Sequence, residues 1–183
     1  MDTRPVVAVF GASNPKPGSP LYQLSEELGR RLGEAGYSVM TGGYSGTMEA
    51  VSKGAREAGA HVIGVTVSVF EGPGKRSGPN AHVAEVIRYE TLRDRLVHLV
   101  TRCDAAVAVP GGIGTLSEVA LMWSLMQVRE VKPIPFVLLG DLWKDLLTRL
   151  YGTGEFIAAE HMSLWKSAST PEEAVHLLKT WPL

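Results

Sequence analysis

The chain has 183 residues, of which 45% are hydrophobic and 20% are charged, so it is long enough for one sizeable core and short for two complete domains. Its net charge of −1 provides no basic stripe for a nucleic-acid backbone, and no apolar run is long enough to cross a bilayer. We therefore expect a single domain over residues 1–183 that takes a small-molecule ligand and binds neither nucleic acid nor membrane.

The first third of the chain alternates strand and helix patterns. A β-rich run over residues 6–10 precedes a helix that Gly36 ends. One face of this helix is apolar and consists of Leu21, Leu24, Leu28, Leu32 and Ala35. The pattern then repeats with a strand over residues 37–41, a helix over 47–58 and a strand over 61–67.

A loop rich in glycine and proline interrupts this alternation over residues 71–80. The elements that follow are, in chain order, a strand over residues 85–89, a helix over 91–103, a strand over 105–109, a helix over 115–128, a strand over 135–139, a helix over 142–150 and a strand over 163–167. A capping box, Thr170-Pro171-Glu172-Glu173, opens a last helix with proline at its first position.

The alternation predicts the fold class. About seven strands alternate with helices, and several strands are apolar along their whole length, which requires cover on both faces. We therefore predict an α/β fold with a doubly wound, mainly parallel sheet and helices on both faces. Ligands of such sheets bind at the carboxyl ends of the strands.

Three glycine-containing loops follow predicted strands and should share that edge of the sheet. They cover residues 11–14, 42–47 and 110–115. The candidate binding residues in them are Gly11, Ser13, Gly42, Gly43, Gly46, Gly111, Gly112, Ile113, Gly114 and Thr115. The alternative is that these glycines only form tight turns, which suits the first loop better than the third.

The third loop leads from an apolar strand into a long apolar helix. Its glycines deliver bare backbone N–H groups to a helix N-terminus, where they can hold a phosphate, and the Thr115 hydroxyl adds a donor. Glu118 falls about one turn into the helix, so its carboxylate should stand near the phosphate without touching it. This points to catalysis, although a glutamate in a first turn also stabilises the helix dipole.

The loops lack three common motifs of nucleotide-binding and hydrolytic proteins. The first loop does not have the G-x-G-x-x-G spacing, and the second strand ends in Thr41-Gly42-Gly43 where an NAD site places an acidic residue. Neither the P-loop motif nor the G-x-S-x-G motif of hydrolases occurs. We therefore expect a mononucleotide pocket and no bound cofactor.

The N-terminus and the cysteine and histidine content give expectations about the cellular compartment and about metal binding. The N-terminus has no apolar signal region and the single Cys103 has no partner for an internal disulfide, which favours the cytoplasm. The five histidines and the cysteine show no metal-ligand spacing, so we expect no metal site.

A second candidate catalytic residue, Arg95, lies in the helix before the third loop. The buried stripe of that helix is predicted to be Leu92, Leu96, Leu99 and Cys103. Arg95 lies at the margin of the stripe, where a long side chain can reach into a cleft. Arg102 lies at a similar angle and is a rival, and the alternative for either arginine is a position along the helix surface.

These residues together resemble the LONELY GUY (LOG) family, nucleoside 5′-monophosphate phosphoribohydrolases once misnamed lysine decarboxylases. The resemblance rests on P-G-G-x-G-T-x-x-E at residues 110–118 and on R-x-x-x-L-x-x-x-x-D-A, which begins at Arg95. The loops at residues 11–13 and 41–48 match the other two glycine loops of the family, and the similarity extends from residue 6 to about residue 139.

The resemblance implies a Rossmann-like fold and a hydrolytic function. The reaction would convert a purine nucleoside 5′-monophosphate, the cytokinin type included, to the free base and ribose 5-phosphate. Arg95 and Glu118 would be the catalytic pair, and the backbone of residues 111–115 would hold the 5′-phosphate of an AMP-like nucleotide. Such a cleavage passes through a ribosyl cation that a fixed carboxylate stabilises.

The helix after the third loop predicts the oligomeric state. Residues 119–126 are apolar nearly all round, which is typical of a helix in a core or in a subunit interface. Members of the LOG family are dimers or larger assemblies, so the resemblance implies a homodimer or a larger homo-oligomer.

A non-catalytic role is the alternative. The chain lacks the lysine and the histidine that many family members carry beside the arginine, and its second glycine loop is closer to a sister branch that includes molybdenum-cofactor carrier-like proteins. Those departures favour a nucleotide or cofactor carrier, whereas the presence of both Arg95 and Glu118 favours an enzyme.

Overall fold

Seven parallel strands form one sheet in the computed structural model, which describes residues 3–74 and 78–181. The strands are β1 (Val6–Phe10), β2 (Ser38–Thr41), β3 (Val62–Val67), β4 (Glu85–Tyr89), β5 (Ala105–Ala108), β6 (Phe136–Leu139) and β7 (Lys166–Ala168). Their order across the sheet is β4-β3-β2-β1-β5-β6-β7, and all six neighbouring pairs are parallel. The predicted α/β fold is confirmed.

Helices cover both faces of this sheet. They are α1 (Pro20–Glu34), α2 (Thr47–Glu57), α3 (Leu92–Thr101), α4 (Ile113–Gln127), α5 (Asp141–Tyr151), α6 (Ala159–Met162) and α7 (Pro171–Lys179). None of the helices in the described part of the chain has the length and apolar character needed to traverse a lipid bilayer.

The apolar strands build two cores because successive side chains point to opposite faces. Val7 and Val9 of β1 pack into one core with residues of α1, α2 and α7, whereas Ala8 and Phe10 pack into the other with residues of α3, α4 and α5. All four are at most 3% exposed. This explains why β1 is apolar at every position and not only at alternate ones.

Most predicted elements are present, with shifts at their ends. The last strand occupies Lys166–Ala168 and not residues 163–167, and the sequence pattern missed two short helices, a 3-10 helix at Ser68–Phe70 and α6. Part of the predicted loop over residues 71–80 lies outside the described residues. The capping box is only partly formed: Thr170 Oγ1 accepts from the Glu173 N–H, but the Glu173 carboxylate accepts from the Ser169 N–H and not from Thr170.

The strand order creates one switch point beside β1. The chain moves from β1 outward to β4, then crosses back to β5 on the other side of β1 and continues outward to β7. Loops after β1 and β5 therefore leave the sheet in opposite directions and open a crevice at its carboxyl edge, which is where ligands of doubly wound sheets bind.

Candidate active site

A cavity of about 420 Å³ lies at the carboxyl edge of the sheet, within the usual size range of small-molecule sites. The loops after β1 and β5, the starts of α2, α3 and α4, and the 3-10 helix all contribute to it. Its lining residues are Gly11, Ala12, Ser13, Asn14, Met48, Phe70, Leu92, Arg95, Leu96, Gly112, Ile113, Gly114, Thr115, Ser117 and Glu118.

The N-terminus of α4 opens onto this cavity. The helix begins at Ile113, two residues before the predicted start at Thr115, with Gly112 as its N-cap and no side-chain hydrogen bond to the cap. The N–H groups of the first helical turn have no intrahelical acceptors. A side chain at Gly112 or Gly114 would extend into open space, so glycine leaves the approach to these N–H groups clear. The arrangement suits an anion.

Glu118 lies one turn further along α4 and faces the cavity. The residue is 8% exposed, and burial raises the pKa of its carboxyl to about 7, while the nearby Arg95 guanidinium partly offsets that rise. Its ionised form has lost most of its hydration, and the described residues give the carboxylate no hydrogen bond in return. At neutral pH both protonation states of Glu118 are therefore populated.

Arg95 is buried in the cavity wall rather than at the surface. It is 6% exposed, and its Nε donates to the Val65 carbonyl at 2.7 Å while Nη2 donates to the Gly42 carbonyl at 3.2 Å. These bonds to β3 and to the second glycine loop fix the guanidinium over the ends of the central strands. The rival Arg102 is exposed and does not line the cavity. The structure thus brings the two predicted catalytic residues together.

The predicted buried stripe of α3 is partly wrong. Leu99 is fully buried, but Leu92 is 46% exposed and borders the cavity mouth. The reason is that the buried face of α3 is rotated toward Arg95 and Val100, which are almost fully buried. Leu92 therefore belongs to the site and not to the core.

Six of the ten predicted binding residues line the cavity: Gly11, Ser13, Gly112, Ile113, Gly114 and Thr115. The other four, Gly42, Gly43, Gly46 and Gly111, do not. They allow close packing behind the wall, since a Cβ at Gly42 would overlap the Arg95 guanidinium and one at Gly111 would overlap the Thr115 side chain. At Gly46 the backbone φ is +73°, which also favours glycine.

The first two glycine loops are joined by hydrogen bonds. Thr47 donates to the Ala12 carbonyl from its N–H at 2.9 Å and from its hydroxyl at 3.0 Å, and Ser45 Oγ donates to the Ser13 carbonyl at 3.1 Å. The loop after β1 is thereby held against the start of α2. These bonds hold Ser13 in the cavity wall, although Gly42, Gly43 and Gly46 of the second loop lie behind that wall.

An apolar wall of the cavity was missed by sequence reasoning. It consists of Met48, Phe70, Leu92 and Leu96, with Ile113 beside the helix N-terminus. Phe70 belongs to the 3-10 helix after β3, which has no sequence pattern long enough to predict. A flat apolar ring fits against such a wall, while an anionic group fits the start of α4.

The charged groups divide the cavity into chemically distinct parts. Arg95 and Glu118 are the only ionisable side chains among its described lining residues, and no lysine is present in that set. The site therefore offers anion-binding N–H groups, one carboxyl that titrates near neutral pH, one fixed cation and an apolar wall. This set suits a phosphorylated ligand with an aromatic ring.

Comparison with known proteins gives matches over most of the chain. The family model described as "Possible lysine decarboxylase" matches residues 48–178. A probable cytokinin riboside 5′-monophosphate phosphoribohydrolase of Oryza sativa subsp. japonica is 30% identical over 181 residues, which cover 96% of this chain and 78% of that protein. A cytokinin riboside 5′-monophosphate phosphoribohydrolase of Arabidopsis thaliana is 27% identical over 180 residues, covering 96% and 82%.

Solved structures share the fold over its full length. The molybdenum cofactor binding protein from the phototrophic bacterium Rippkaea orientalis has a TM-score of 0.75 and 26% sequence identity, with 98% of each chain covered. The matched region thus continues past residue 139 and includes the C-terminal strand and helix, which the motif resemblance did not reach.

Proposed function

This chain belongs to the possible lysine decarboxylase family, the LOG family, and from that premise we propose that it hydrolyses a purine nucleoside 5′-monophosphate to the free base and ribose 5-phosphate. The observation that carries the proposal is the meeting of Arg95, Glu118 and the open N-terminus of α4 in one cavity. The name of the rice relative supports the same chemistry.

The 5′-phosphate binds at the start of α4. The N–H groups of Ile113, Gly114 and Thr115 lack helical acceptors, and the partial positive charge of the helix N-terminus favours a dianion. The Thr115 hydroxyl supplies a further donor. Because the phosphate is fixed at one end of the cavity, the ribose extends toward Glu118 and the base toward the apolar wall.

Glu118 serves the bond cleavage. As the bond between C1′ and the base nitrogen breaks, positive charge develops on the ribose, and a carboxylate held in a low-dielectric wall stabilises that charge. The same carboxylate accepts a proton from the water whose oxygen bonds to C1′. No second carboxyl lines the described cavity, so the departing base takes its proton from solvent.

Arg95 provides a fixed positive charge beside Glu118. Two of its donors are occupied by backbone carbonyls, which restrain the side chain. A guanidinium fixed in this way binds the phosphate or the ribose hydroxyls and keeps a useful fraction of Glu118 ionised.

A homodimer is the proposed assembly. One face of α4 packs into the core, but Ala120 on the opposite face is exposed, as is Val128 directly after the helix, and Val97 on the neighbouring α3 is 45% exposed. Burial of this apolar surface against a second copy would stabilise the dimer. Sedimentation equilibrium of the purified protein measures the oligomeric state.

A panel of nucleotides tests the proposed activity. Release of ribose 5-phosphate from AMP and from N6-substituted purine nucleotides is the expected result. Adenosine should bind much more weakly than AMP, because it lacks the group that binds the helix N-terminus. Equal affinities for adenosine and AMP would contradict the assigned phosphate site.

A carrier is the second candidate function. It is favoured by the full-length similarity to the molybdenum cofactor binding protein of Rippkaea orientalis. A carrier would use the same anion site for the phosphate of its cargo and would not need Glu118 for chemistry. Tight binding of a phosphorylated ligand without hydrolysis of any nucleotide in the panel would favour this candidate.

A further inference from the structure

Tyr44 is a buried side chain that lies behind two walls of the cavity. It is 2% exposed and does not itself line the cavity. The Arg95 guanidinium lies over its ring, with Cζ 5.8 Å from the ring centroid, and Phe70 packs edge-on against it with 6.0 Å between centroids. Tyr44 therefore supports a charged wall and an apolar wall at the same time.

The Tyr44 hydroxyl is anchored at the end of β3. It accepts from the Val67 N–H at 2.8 Å and donates to the Glu71 carboxylate at 3.0 Å. That carboxylate also pairs with Arg88 at 2.8 Å, and the Glu71 side chain is only 9% exposed. The hydroxyl thus ties the second glycine loop to the segment that immediately follows Phe70.

The backbone of Tyr44 is held from the other side by Asn80. The Asn80 Nδ2 donates to the carbonyls of Gly43 and Tyr44 at 3.1 and 3.0 Å, and the Asn80 N–H donates to the Gly43 carbonyl at 2.8 Å. Both ends of Tyr44 are therefore fixed, which limits the positions available to the ring.

The strand order places Tyr44 and Glu118 on opposite sides of β1. Tyr44 and its anchor Val67 lie on the β2 and β3 side of the sheet, whereas Glu118 is on α4, which follows β5 on the other side of β1. Without the ring, space would open on the β3 side of the guanidinium. Arg95 would settle into that space, away from Glu118.

We propose that Tyr44 is a positioning residue of this site: its ring holds the Arg95 guanidinium toward Glu118, and its hydroxyl, through Glu71, holds Phe70 in the cavity wall. The first role serves turnover and the second serves ligand binding. This assignment rests on the proposed hydrolysis, but the position of Arg95 can also be measured without turnover.

The measurement uses Glu118 as a reporter of Arg95. Arg95 from α3 is the one charged side chain that faces Glu118 across the described cavity, and the other lining residues are neutral. Carbon-13 NMR of labelled glutamate carboxyls, with Glu118→Gln for assignment, gives the titration of this group. Displacement of the guanidinium must raise the titration midpoint, since a nearby cation favours the carboxylate.

Three tyrosine variants separate the roles. In Tyr44→Leu we expect a higher Glu118 midpoint and a loss of kcat on the order of tenfold or more, because small misplacements of catalytic groups are costly. Tyr44→Phe retains the ring, so its kcat should lie within about twofold of the wild-type value. Its KM should rise several-fold, because loss of the hydroxyl loosens Phe70. The control is Tyr22→Leu, which removes a similarly buried tyrosine of α1 outside the cavity and should leave the Glu118 midpoint, kcat and KM unchanged.

Asn80→Ala covers the case in which Tyr44→Leu does not fold. It removes the two side-chain hydrogen bonds to the Gly43 and Tyr44 carbonyls, keeps the backbone bond to Gly43, and should raise the Glu118 midpoint by a smaller amount. The positioning role is overturned if the titration midpoint of Glu118 in Tyr44→Leu, or in Asn80→Ala, equals its midpoint in Tyr22→Leu. If the midpoint rises but the wild type hydrolyses no nucleotide, the positioning stands and the proposed hydrolysis fails.

Discussion

Replacing Glu118 by glutamine should change the stability of the protein in a way that depends on pH. Burial raises the pKa of this carboxyl from 4.5 to about 7 in the folded state. Below pH 4.5 the carboxyl is protonated in both the folded and the unfolded chain, so it contributes no pH dependence. Between pH 4.5 and 7 the unfolded chain ionises first, and the free energy of unfolding of the wild type falls as the pH rises.

The size of this effect follows from the shift. One pKa unit corresponds to about 1.4 kcal/mol, so the rise from 4.5 to about 7 destabilises the wild type by about 3 kcal/mol above neutral pH. Glutamine is uncharged throughout. The free energy of unfolding of Glu118→Gln minus that of the wild type should therefore increase by about 3 kcal/mol between pH 4 and pH 8.

Urea unfolding at closely spaced pH values measures this difference, provided that the m-values of the two proteins agree. Glu155→Gln, at an exposed position, serves as the matched control. Equal pH dependence in the two variants, or a Glu118→Gln advantage that shrinks toward high pH, would refute this pKa-based explanation. Either result would mean that Glu118 ionises in the folded protein at least as readily as in the unfolded chain.

Three further predictions concern activity. Glu118→Gln should lower the turnover of AMP on the order of a hundredfold and leave AMP binding intact, whereas Arg95→Ala should weaken turnover and binding alike. Measurements of kcat and of calorimetric affinity separate these outcomes, and turnover at the wild-type rate in the two variants would exclude this site. The rate of the wild type should fall as the pH drops below about 7, because the carboxylate is the active form of Glu118; a rate that rises toward acid pH would assign the catalytic role to the protonated form. Despite the family description, incubation with pyridoxal phosphate and lysine should yield no cadaverine, since no lysine lines the described cavity to form a Schiff base. Formation of cadaverine would contradict the proposed hydrolase function.

Local patterns were sufficient to predict the elements that carry the site. The alternation of apolar strands with helices predicted the parallel sheet, and the loop before α4 predicted a helix N-terminus at the carboxyl edge of that sheet. These features depend on residues close together in the chain. The same is true of the spacing between the loop and Glu118, which places the carboxyl one turn into the helix.

Helix periodicity was less informative for α3. The apolar periodicity of α3 predicted Arg95 at the margin of the buried stripe and Leu92 inside it, yet Arg95 is 6% exposed and Leu92 is 46% exposed. Arg95 is buried because carbonyls of Val65 and Gly42, distant in sequence, accept its hydrogen bonds. A pattern within one helix contains no information about such partners.

The sequence by itself determined the fold class and the three glycine loops, because turn chemistry and apolar periodicity act over short distances. Only the tertiary structure decided which glycines line the cavity, that Phe70 completes its wall, and that Tyr44 lies behind Arg95. It also decided the pKa of Glu118, since that value depends on how completely other elements exclude water from the carboxyl. Packing between distant segments sets these properties, and no single segment encodes them.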